Sequence, residues 1–120
     1  MAELSQAALD RALAAVFDGR ELVIGLSRAG VEESARGYAR RPITLAGPRT
    51  AESGLREMYN AEDVVFPPYA QSAGAIDGWV LIDGSDVLAR GALQVAKALQ
   101  DGDEYVARAG MIRIGFAGRE

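Results

Sequence analysis

The stretch Asp77-Gly78-Trp79-Val80-Leu81-Ile82-Asp83-Gly84-Ser85-Asp86-Val87-Leu88-Ala89-Arg90-Gly91-Ala92-Leu93 constrains the fold more than any other part of the chain. Two apolar, β-prone arms flank a polar turn at Asp83 to Asp86, the pattern of a β-hairpin. Side chains alternate along a strand, so Val80 and Ile82 share one face and Trp79 and Leu81 the other. A strand with one wet face alternates apolar and polar residues. This arm is apolar on both faces, so it belongs mid-sheet with a cover on each side. The N-terminal helix and the strand ending in Ile112, Ile114 and Phe116 are the candidate covers.

The rest of the chain suits that core. Its 120 residues make one domain, 1–120, with a helix over about 4–18 and strands over about 21–116. Leu9, Leu13, Val16 and Phe17 fall on one helical face, Ser5 is the expected N-cap, and Gly19 the expected stop. Strands are expected at Glu21–Ser27, Arg41–Ala46, Leu55–Tyr59, Glu62–Phe66, Tyr105–Arg108 and Met111–Phe116. Val95–Leu99 fits a short strand or a helical turn. Val31–Arg40, Gly47–Gly54 and Tyr69–Ala75 read as exposed loops, and Pro67-Pro68 stops a strand because proline cannot donate to a ladder. Short strands at this spacing predict a mainly β domain. The expected form is an antiparallel β-sandwich, immunoglobulin-like or jelly-roll-like, with one N-terminal α-helix.

Composition excludes several functions. Cysteine and histidine are absent, which removes disulfides, thiol nucleophiles, the usual zinc sites and histidine acid–base chemistry. The net charge of −4 argues against nucleic acid as a partner. No apolar run nears the ~20 residues of a membrane helix, and the N-terminus lacks the basic region of a secretory signal. No cofactor, metal or catalytic residue is expected. Asp77, Asp83, Asp86, Asp101, Asp103 and Glu104 contain calcium-type oxygen ligands, but Asp-Gly is ordinary turn chemistry and the twelve-residue calcium loop is missing. Turn formation is the preferred reading.

The residues left for a partner are few. Trp79 is either a core anchor or an interface hot spot, with the core preferred. Tyr38, Arg40 and Arg41 form a small aromatic–basic cluster. Phe66-Pro67-Pro68-Tyr69 looks like an aromatic–proline ligand, although strand termination explains it more simply. The candidate interface is therefore Trp79, Tyr38, Arg40, Arg41 and Tyr69.

The order of motifs resembles a known family. Ala-Val-Phe-Asp-Gly ends the helix and Leu-Val-Ile-Gly-Leu follows. Gly37-Tyr38-Ala39-Arg40, Asn60-Ala-Glu-Asp-Val-Val-Phe66-Pro67, the Trp79 hairpin, and Asp101-Gly-Asp103 leading to Ala109-Gly110 complete the set. Together they resemble small structural proteins of tailed-bacteriophage virions, often labelled tail-fibre or tail-associated proteins, over about Leu9 to Phe116. The loop Gly30–Gly37 is shorter and more charged, and Leu55–Tyr59 bulkier, than that family's pattern. The resemblance implies a β-sandwich and a structural place in the virion, assembled in the host cytoplasm, with no catalytic residue or cofactor. Expected partners are further copies of the chain, with a trimer as the guess, and major capsid or tail proteins. Head decoration or cement is slightly favoured over the tail fibre, because no coiled-coil stem or receptor-binding tip is present. A carbohydrate-binding adhesin built on Trp79, Tyr38, Tyr69 and Tyr105 is the alternative from another class.

Overall fold

The hairpin sits at the centre of the computed structural model, which describes residues 5–17 and 21–115. Its arms are β7 (Ala73–Asp83) and β8 (Asp86–Leu99). β7 lies between β8 and β1 (Leu22–Arg28), antiparallel to both. The outer side of β1 is shared by β2 (Val31–Glu32) at one end and β3 (Arg41–Ile43) at the other. A second sheet has the order β10 (Arg113–Gly115), β5 (Arg56–Asn60), β4 (Leu45–Thr50). β6 (Val64–Val65) and β9 (Val106–Ala107) form a small ladder. The chain is thus mainly β, with antiparallel sheets in a sandwich-like arrangement and one helix, α1 (Gln6–Phe17).

Both faces of the central arm are covered. Trp79, Val80, Leu81 and Ile82 are all buried. Leu26 opposes Trp79 and Ile24 opposes Leu81, so these four side chains share a face. They join Met58 and Ile114 of the second sheet, Ile112 just before β10, and Phe66, Tyr69 and Tyr105 in one core. On the other face Gly25 opposes Val80. A side chain on Gly25 would meet the Tyr38 hydroxyl, the Glu32 carboxylate at 2.8 Å and Val80 Cγ1 at 3.1 Å. A polar segment, not a second sheet, therefore lies over Val80.

The helix is where the sequence places it, with a different neighbour. The backbone N–H of Ala8 donates to Ser5 Oγ at 3.2 Å, satisfying one of the free donors of the first turn. Leu13 and Phe17 are buried, each contributing about 1.5–3 kcal/mol by removal from water. Val16 is exposed, so the buried stripe is narrower than the expected one. The helix packs on β4 and β5 rather than on the hairpin. Arg56 of β5 holds it by donating to both carboxylate oxygens of Asp10, at 2.7 and 2.8 Å. Gly19 and Phe116 lie outside the described residues.

Three loop expectations are corrected. Val31–Arg40 contains β2 and buries Glu33. Much of Gly47–Gly54 belongs to β4, which passes through Pro48 with a register shift between Ala46 and Arg49. β7 begins at Ala73, inside the third expected loop, and Val95–Leu99 continues β8 rather than forming a separate element.

Candidate functional site

Two features remain once the core is assigned: a charged cluster beside β1 and the free side of β8. The cluster begins at Gly37. Its φ is +88°, and a Cβ there would lie 2.5 Å from the Pro68 carbonyl oxygen and 2.7 Å from the Ala70 nitrogen. Only glycine combines that conformation with so close an approach. The crossing is fastened by the Ala70 N–H donating to the Arg36 carbonyl at 2.8 Å. Loop 33–41 is thereby laid against the segment 66–71, and Tyr38 stacks near Phe66 with ring centroids 6.3 Å apart.

Two glutamates organise the charges. Glu32 accepts from Arg40 Nε at 2.8 Å and Nη2 at 2.7 Å, a two-point pair, and from the Tyr38 hydroxyl at 2.8 Å. The Tyr38 oxygen in turn accepts from the Leu26 N–H at 3.1 Å. The Glu33 side chain is only 1 % exposed. It accepts from Arg28 Nη2 at 2.6 Å, the Tyr69 hydroxyl at 2.9 Å, and the backbone N–H groups of Ser34 and Ala35 at 2.9 and 3.2 Å. A buried carboxylate is tolerable only with such a full set of donors.

Electrostatics follow the geometry. The Arg40 hydrogen bonds hold Glu32 below the usual carboxylate range. Burial pushes Glu33 up, but the Tyr69, Ser34, Ala35 and Arg28 donors more than offset it, and its carboxyl also ends below its ordinary value. Burial and the adjacent glutamates push Tyr38 and Tyr69 well above ordinary tyrosine. At neutral pH the carboxylates are charged, the phenols neutral, and every member is engaged. Such a set locks two loops together; it holds no group poised to exchange a proton near neutrality.

The lock predicts a pH dependence. A carboxylate whose folded pKa is depressed stabilises the fold at pH values above its unfolded pKa, and that stability is lost as pH falls through the folded value. Thermal stability is expected to be flat above about pH 5 and to fall below the ordinary glutamate value of 4.5. Glu33→Gln, which keeps the shape but removes the titration, should cost about 1–3 kcal/mol at neutral pH and flatten the acid limb. Melting curves from pH 3 to 8 test this, and an unchanged acid limb in the variant would reject it.

The candidate interface residues divide sharply. Tyr69 is 1 % and Trp79 5 % exposed, so both serve the core. The Trp79 ring lies over Gly91, its cross-strand neighbour, in the space a Cβ would need. Tyr38 is half-buried, while Arg40 and Arg41 are exposed. The structure brings Tyr38, Arg40 and Tyr69 into the two-glutamate cluster and leaves Trp79 apart. Glu32 and Glu33 were missed as organising residues; the alternation of Glu32, Glu33, Arg36, Tyr38 and Arg40 was the available signal. The adhesin alternative loses its platform, because Tyr105 is buried too. The turn reading of the acidic loop holds at Asp103, whose carboxylate accepts from the Gln100 N–H at 2.9 Å. Among the described residues no cluster of acidic side chains could hold a metal ion.

Concavities are shallow. One of about 480 Å³ is lined by Glu52, Leu55, Glu57 and Arg113; one of about 420 Å³ lies between β8 and β10, with Trp79, Gly91, Met111 and Ile114 in its lining. Neither gathers convergent polar groups around an apolar cavity, as small-molecule sites do. β8, by contrast, is the edge of the main sheet.

Residues 26–115 match the model of the family described as Podophage GP4 fiber I protein gp80. No curated protein and no solved structure matches the chain. The match agrees with the resemblance to virion structural proteins and corrects the preference for head decoration, since the matched family is one of fibres. A β-rich domain whose described buried side-chain polar groups are all hydrogen-bonded, with a long free strand, suits a structural part. The chain belongs to the Podophage GP4 fiber I protein gp80 family, whose members are structural fibre proteins of tailed phages.

Proposed function

We propose that the chain is a non-enzymatic subunit of the tail fibre, held in the particle by association with further copies of itself and with a neighbouring tail protein. The carrying observation is the fibre-family match across residues 26–115. The geometry supports it in two ways. Arg28, Glu32, Glu33 and Arg40 beside β1 are consumed in mutual contacts, which suits rigidity rather than turnover. The molecule is also elongated, about 50 × 27 × 23 Å, as its long central hairpin dictates.

Labelling the chain in intact particles and imaging them tests the assignment. Label is expected on the fibres. Label distributed over the head would overturn the fibre reading and restore decoration.

A further inference from the structure

We propose that β8 is a subunit contact and that its occupant is β8 of a second copy of this chain, running antiparallel. The proposal rests on the fibre reading for the presence of more than one copy; the surface itself comes from the fold.

The main sheet ends at β8, a 14-residue strand whose outer side pairs with no strand among the described residues. Backbone donors and acceptors on such an edge are a template for another strand. The need is sharpest in its second half. β7 pairs Gly78 with Ala92 and Ile76 with Lys97, so one residue, Asp77, faces the four residues Leu93–Ala96. From Ala92 to Ala98 every residue except Leu93 is exposed, and Val95 is 77 % exposed. This run, Ala-Leu-Gln-Val-Ala-Lys-Ala, carries one charge and no proline, whereas edges meant to stay free are charged or interrupted by proline.

Charge selects the occupant. Asp86 stands at the start of β8 and Lys97 near its end, and neither has an ion-pair partner among the described residues. Antiparallel pairing of two copies, centred on Ala92, sets Ala92 of each opposite Ala92 of the other and brings Asp86 of each within one residue of Lys97 of the other. Parallel pairing would set like against like. Each copy has one β8, so the contact is used up when two copies join, as in an isologous two-fold interface.

The chain has no cysteine, so introduced thiols report without background. Directly opposed residues in an antiparallel pair have Cα atoms about 4.5–5.5 Å apart, within the span of a disulfide. The test uses the full chain carrying Ala92→Cys at the centre of the contact, or Ser85→Cys at the hairpin tip. Under mild oxidation Ala92→Cys should run largely as a reducible dimer and Ser85→Cys as monomer. Unmodified chain should be a dimer by light scattering. Val95→Asp, at an exposed position, should shift it to a monomer that stays folded by far-UV circular dichroism. Cross-linking of Ala92→Cys no greater than that of Ser85→Cys would overturn the proposal, as would a monomeric chain or a trimer unaffected by Val95→Asp. Label on fibres with no Ala92 cross-link refutes this contact alone; label on the head with the cross-link present refutes the fibre assignment alone.

Discussion

Asn60→Ala is expected to cost at least about 3 kcal/mol, enough to leave a domain of ordinary stability near its unfolding threshold. Asn60 is fully buried and joins its own segment, 60–62, to the segment 107–112. Its amide nitrogen donates to the carbonyls of Glu62 at 2.9 Å, Arg108 at 2.9 Å and Ala107 at 3.4 Å. Its side-chain oxygen accepts from the Ile112 N–H at 2.9 Å. Its backbone N–H donates to the Ile112 carbonyl, and its carbonyl accepts from the Gly110 N–H. Alanine keeps the backbone bonds but strands a buried N–H and several carbonyls. Asn60→Asp should be worse at neutral pH, because it retains the acceptor while placing a negative charge against three carbonyl oxygens. Urea unfolding monitored by tryptophan fluorescence measures both. A loss below about 1 kcal/mol for Asn60→Ala would mean that the segments 60–63 and 107–112 hold together without the amide.

The second large effect is expected at Trp79 and Gly91. Trp79→Ala should destabilise by about 3–5 kcal/mol, the range for removing a large buried aromatic. A normally folded variant with a changed association state would instead make the Trp79 face a subunit contact. Gly91→Val attacks the same packing from the other side. Its Cβ would clash with Cζ2, Cε2 and Nε1 of the indole ring, and the ring is buried, so overpacking of about 1–3 kcal/mol or more is expected. The two changes should not add. With the ring gone, valine at 91 fills part of the vacated space, so Gly91→Val should be milder on the Trp79→Ala background. Urea midpoints of the four proteins in the cycle measure the coupling; strict additivity would show that the ring and the glycine are independent.

Much of the fold was readable where the signal is local. The hairpin announces itself through two apolar arms around Asp83-Gly84-Ser85-Asp86, and β7 ends and β8 begins at that turn. The helix is signalled by Ser5, the alanines and the Leu13–Phe17 spacing, and Ser5 caps it. The absence of histidine and cysteine bounded the chemistry without any structure.

The failures are long-range. Val31–Arg40 is polar and reads as exposed, yet Glu33 is buried because Tyr69, 36 residues away, and Arg28 supply its donors. No local pattern reveals that a carboxylate will find such partners. Periodicity shows that Leu13 and Phe17 face a core, but not which sheet provides it; the Asp10–Arg56 pair, 46 positions apart, reflects the side chosen. Trp79 was ambiguous for the same reason. An apolar ring looks alike in a core and in an interface until the chain is folded.

The opening stretch illustrates the division. Its sequence determines that Asp77–Leu93 is a hairpin and that its first arm is buried on both faces, because alternation and turn chemistry act between near neighbours. Only the tertiary structure decides what covers each face and which edge stays open. The second sheet closes over Trp79 and Leu81, the Tyr38–Glu32 segment lies beside Val80, and β8 is left unpaired. Those outcomes depend on packing and charge pairing between segments tens of residues apart, whose free energies are set jointly and cannot be read one residue at a time.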